Sequence, residues 1–205
     1  MSGIDLKTLK LERGKHDDCG DGQGPVCLLE AVACYAGNPF SDHPETTSPV
    51  LAAFGRAIND AMPDDRRQEL RQFIPRLVDT AGNPELEQKR AWLLTDWAVR
   101  EMAPRALRSA AKALIAAAKK QETEKRAELE GHAKKLREQA KNLRALKPVD
   151  SESSARSAAE SAWSARSAAW SARSAAESAG SAAEIWDECI RFFDVLISLT
   201  LDSAA

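Results

Sequence analysis

The sequence is poor in the residues from which β-sheets are built. It has a single Tyr among 205 residues, and Val, Ile and Thr rarely occur in runs. Both features exclude a sheet protein and leave an all-α fold. Long hydrophobic runs are also missing. The stretch MSGIDLKTLKLERGKHDD at residues 1–18 contains no apolar segment, so neither a signal peptide nor a membrane anchor is expected there. The most apolar piece, IRFFDVLISLTL, is too short for a bilayer and carries Arg191 and Asp194. No charge sign dominates either. With 29 Lys+Arg against 31 Asp+Glu, no overall field gathers nucleic acid or an anionic membrane. The four cysteines, at positions 19, 27, 34 and 189, are too few for a disulfide scaffold. Free thiols are expected, in the cytoplasm of a bacterium or of an infected one. A phosphate-cradling glycine loop, a G-x-S-x-G elbow and an H-E-x-x-H helix are all absent.

What is present is helical punctuation. Residues 1–24 are polar, with LKTLKLE as a short extended piece and DDCGDGQG as loop. Pro25 opens VCLLEAVACYA, which Gly37 closes. Ser48-Pro49 opens VLAAFGRAINDAM, with Val50, Phe54, Ile58 and Ala61 on one stripe. Pro63 opens a helix closed by Gly82, with a kink expected at Pro75. Asn83-Pro84 opens ELEQKRAWLLTDWAVREMA, whose buried stripe includes Leu86, Leu93 and Trp97. These helices predict a small N-terminal domain over residues 1–104.

From Arg105 to Leu146 the charges are dense and the apolar residues form a narrow seam. Leu107, Ala111, Leu114 and Ala118 make one half; Leu129, Ala133, Leu136, Ala140 and Leu143 make the other, one residue out of register. A 3.5-residue repeat with a phase shift predicts one long coiled-coil helix, reaching roughly 60 Å. Lys147-Pro148 stops it, and Asp150, Ser151 or Ser153 caps the next. Residues 154–184 then repeat SAAxSAx. At 100° per residue, Arg156, Glu160, Trp163, Arg166, Trp170, Arg173, Glu177 and Glu184 share one arc, and most alanines lie opposite. The reading is a long antiparallel hairpin over 105–205, with arms 105–146 and 151–202. Its small residues let the backbones approach closely. Residues 185–201 return to dock on the N-terminal domain.

Candidate chemistry divides into three. Cys27 follows Gln23 by four residues near a helix start, the layout of a papain-like thiol hydrolase. Yet His43 and His132 are poorly placed as bases, and Cys27 shares a stripe with Ala31 and Cys34, which suits a buried thiol. The acidic and His residues around His16–Asp21, with Asp42 and His43, fit neither a zinc ribbon nor an EF-hand, so no metal and no cofactor is expected. The Trp163, Arg166, Trp170, Arg173 stripe is the strongest signal, because Trp and Arg dominate binding hot spots and the charges on its arc are costly to bury. Interleaved Glu160, Glu177 and Glu184 would repel phosphates, so a protein partner is expected rather than nucleic acid. Self-association through the hairpin is a further option.

The stretch "VCLLEAVACYAGNPFSDHPETTSPVLAAFGRAINDAMPDD", continuing through "FIPRLVDTAGNPELEQKRAWLLTDWAVR", resembles a family of uncharacterised proteins encoded by bacteria and their phages. The resemblance spans residues 8–104 and implies an accessory role, such as modulating a host complex. It brings no functional residues with it. The expected function is a non-enzymatic protein-interaction module. The alternatives are a thiol hydrolase using Cys27 and a protein that sequesters a small nucleotide between its N-terminal helices.

Overall fold

A computed structural model describes residues 4–18, 24–151 and 182–200. Its regular structure is all helical, as the composition requires. The β-type pairing among the described residues is an isolated parallel bridge between Leu11 and Val26. The described residues form two compact units. One holds those as far as Arg90 together with those from Glu184 onward; the other holds those from Ala91 to Ala183. This division falls inside a helix, short of the boundary at residue 104 that the sequence suggested.

The first unit begins with an extended piece that a side chain holds in place. Gln68 Oε1 accepts from the Leu11 amide at 2.9 Å and its Nε2 donates to the Leu11 carbonyl at 2.9 Å, doing for the backbone what a neighbouring strand would do. Helix α1 (Leu28–Ala36) starts three residues after Pro25 and ends at Gly37, whose left-handed φ of 70° closes it. Helix α2 (Pro49–Ala61) begins as read, with Ser48 Oγ accepting from the Leu51 amide at 3.2 Å. Its buried face is Leu51, Ala52, Gly55, Ile58 and Asn59, turned from the expected stripe so that Ala61 is exposed.

The single helix expected between Pro63 and Gly82 is instead three short pieces. These are α3 (Asp64–Arg67), a 3-10 stretch (Gln68–Phe73) and α4 (Ile74–Leu77). Pro75 has no amide for the Arg71 carbonyl, and the Ile74 amide takes it in a tighter bond. Arg67 is buried here and satisfies the end of α2, donating to the carbonyls of Asn59 and Met62 at 2.7 Å each. Helix α8 (Ala182–Ser198) completes the core. Phe193 is fully buried and meets Phe54 and Phe73 edge-on, at 5.5 and 5.1 Å between ring centroids. Arg66–Asp187 and Arg76–Asp194 pairs flank it.

Helix α5 (Pro84–Trp97) is capped by Asn83, whose Oδ1 accepts from the Leu86 amide at 3.0 Å. Of its expected stripe, Trp97 is buried while Leu86 and Leu93 are half-buried. It passes into a π-helical turn, Ala98–Met102, where the Ala103 amide reaches back five residues to Ala98. The cause is Pro104, which cannot donate to the Arg100 carbonyl and forces the turn to widen. Helices α6 (Ala103–Ala118) and α7 (Thr123–Arg144) follow.

The expected continuous arm from 105 to 146 is therefore corrected: it is two helices that reverse at residues 119–122. No Gly or Pro marks the break. Charge does: Lys119 and Lys120 sit at the carbonyl end of α6, and Glu122 and Glu124 at the amide end of α7, each favoured by the local dipole. The one-residue register slip in the seam is the trace of this reversal. Leu107, Ala110, Ala111, Ala133, Leu136, Ala140 and Leu143 pack as one core between the two helices. The arm expected over 151–202 lies largely outside the described residues.

Candidate functional site

Of the candidates read from sequence, the Trp163, Arg166, Trp170 and Arg173 stripe lies outside the described residues. So do Cys19, Asp21 and Gln23. Cys27 is described, and its surroundings are those of a helix cap. It is the residue before α1, buried, with Glu30 three places on closing a capping box: the Glu30 carboxylate accepts from the Cys27 amide at 2.7 Å. The same buried carboxylate takes the His16 amide and pairs with His16 Nδ1, both at 2.7 Å. Desolvation, and to a lesser degree the nearby Glu30 charge, push the Cys27 thiol up to about 12. A nucleophilic cysteine needs the opposite shift. Among the described residues no group of three or more His, Cys, Asp or Glu could hold a metal ion. None of their helices is long and apolar enough to cross a membrane.

The feature that stands out lies on the α6–α7 hairpin. A cleft of about 350 Å³ opens between the two helices, lined by Arg108, Lys112, Arg137, Ala140, Lys141 and Arg144. Five of those six residues are cationic, and Ala140 is the buried floor. Arg108 is half-buried; Lys112, Arg137, Lys141 and Arg144 are exposed. Among the described residues Glu101, on the π-helical turn, reaches the rim and accepts from Arg144 at 3.0 Å. For Arg108, Lys112, Arg137 and Lys141 no ion pair with a described carboxylate is found.

The spacing is regular. Arg108 and Lys112 are four residues apart, as are Arg137 and Lys141, and Arg144 follows three later. Successive turns thus set like charges on each wall about 6 Å apart along the axis. Like charges at this spacing destabilise a helix by a few tenths of a kcal/mol per pair. Elsewhere α7 does the reverse, pairing Lys125 with Glu128 and Arg126 with Glu130 at 2.9 Å each. The cleft is where the hairpin tolerates repulsion that it neutralises a few turns away.

In the single unbroken helix expected from the sequence, Arg108 and Arg137 would stand roughly 40 Å apart. The reversal at 119–122 brings them to one opening. The clue available in the sequence was the repeated four-residue cation spacing, at 108 and 112 and again at 137 and 141.

Comparison of the chain with protein-family models, with curated proteins and with solved structures returned no match.

Proposed function

We propose that this chain is a non-enzymatic interaction module that binds an anionic surface of a protein partner through the α6–α7 cleft. One observation carries the reading: five cations converge on one opening, and four of them have no ion-pair partner among the described residues. Such a cluster costs stability in isolation and is relieved by a complementary charge. Trp163, Arg166, Trp170 and Arg173 belong to the same proposal as a second contact face, supported by their shared helical arc. The bacterial or phage resemblance of residues 8–104 supports an accessory role in the cytoplasm, modulating a host complex.

Two alternatives have less behind them. A thiol hydrolase would act through Cys27, whose thiol is buried and shifted away from ionisation. Nucleotide sequestration would use a pocket among the N-terminal helices, whereas the cleft described here lies between α6 and α7.

Affinity capture from a bacterial lysate tests the proposal, comparing wild-type protein with the Arg137→Glu/Lys141→Glu variant. Wild type should retain a defined protein that the variant loses, and added salt should release it. Retention of the same protein by both forms removes the cleft from the contact face.

A further inference from the structure

Building on the cleft as a protein-binding face, we infer that its occupant is an acidic amphipathic helix that lies along the hairpin as a third helix. Three features of the opening select this chemistry. The first is the floor. Ala140 is the non-cationic lining residue, and the walls are Arg and Lys, whose methylene stems offer apolar surface below their charged ends. A ligand with an apolar stripe and flanking charges matches that profile, as in other helix-in-groove complexes. The second is the pitch. Arg108 and Lys112 on one wall, and Arg137 and Lys141 on the other, repeat every four residues. A helix carrying Glu at i and i+4 presents its carboxylates at the same interval of about 6 Å. The small floor residue permits the approach, since helices pack more closely across alanine.

The third feature separates this occupant from a phosphate polymer. The cleft lies on the flanks of α6 and α7, where backbone amides are engaged within the helices, so no amide nest is available for phosphate oxygens. Glu101 stands at the Arg144 end and would repel a continuous polyanion running the length of the hairpin. The chain's formal charge of -2 provides no long-range attraction to one. A short acidic helix needs only the four cations that have no ion-pair partner among the described residues.

The test uses the full-length protein and fluorescence anisotropy. The probe is a labelled peptide of about 18 residues, long enough to be helical, with a Leu/Ala stripe flanked by Glu pairs at i and i+4. One control has the same composition with the order shuffled; the others are inorganic phosphate and an oligothymidylate of about 20 nucleotides. The helical probe should bind, and the shuffled peptide at least about tenfold more weakly. Arg137→Gln/Lys141→Gln should weaken the helical probe by about tenfold or more, with unchanged far-UV circular dichroism, because Gln keeps helix propensity. Arg108→Gln/Lys112→Gln, on the other wall, gives the same readout should the first variant lose structure. Equal binding of the two peptides, tighter binding of the oligonucleotide, displacement by millimolar phosphate, or no binding at all overturns the inference. If the helical probe fails while lysate capture still depends on Arg137 and Lys141, the helix is wrong and the interaction module stands. If capture ignores both residues, the module reading falls with it.

Discussion

Arg67 and Phe193 show how single side chains hold the first unit. Arg67 is a buried cation, and its bonds to the Asn59 and Met62 carbonyls close the end of α2 while Asp64 pairs with it at 2.6 Å. That contact holds the Asp64 carboxyl below its usual range, through the hydrogen bond first and the charge second. Phe193 fills the space between Phe54 and Phe73. Phe193→Ala should cost about 3–5 kcal/mol in urea denaturation, and Phe192→Ala less, since Phe192 is 8% exposed and Phe193 0%. Equal losses would mean that the aromatic cluster is not centred on Phe193. Cys27 gives a prediction with a definite sign. Its thiol stays protonated in the fold up to about 12, against 9.0 for a free thiol. Below that ordinary value both states hold the proton and nothing changes. Above it the unfolded chain releases the proton first, so Cys27 makes stability fall as pH rises from about 9 toward 12. Cys27→Ala should flatten that decline relative to wild type. An unchanged slope would place the thiol in contact with water.

At the scale of elements, the helix starts were legible because local chemistry writes them. Ser48-Pro49 and Asn83-Pro84 cap α2 and α5, and Gly37 ends α1 where a left-handed residue is required. The interior of residues 63–82 was less legible, since Pro75 converts the preceding turns to 3-10 geometry rather than bending one helix. Least legible was the reversal at 119–122, whose signal is a change of charge sign rather than a breaker residue. The cleft depends on that reversal, so it could not be assembled from the sequence. Part of its core does follow from the seam: Ala111, Ala133 and Ala140 are buried between α6 and α7, and Ala110, outside the expected seam, joins them. Ala133→Leu should therefore overpack the hairpin and cost about 1–3 kcal/mol, while Ala116→Leu, at an exposed position of α6, should shift the midpoint little. Tolerance of Leu at both positions would contradict the close packing.

For the whole molecule, a nearly balanced charge count coexists with a concentrated positive opening on α6–α7. On the proposed reading, recognition acts at short range, over about 8–10 Å at ordinary salt, and favours a partner whose acidic groups are fixed in register. The most direct measurement is site-specific photocrosslinking in living bacteria that express the full chain. A photoreactive residue replaces Lys112, on the cleft, or Lys135, which is exposed and about 160° around α7 from Arg137. The account predicts one discrete crosslinked protein from position 112, lost when Arg137 and Lys141 are changed to Glu, and none from position 135. The same adduct from both positions, or an adduct at 112 that survives the charge reversal, would contradict it.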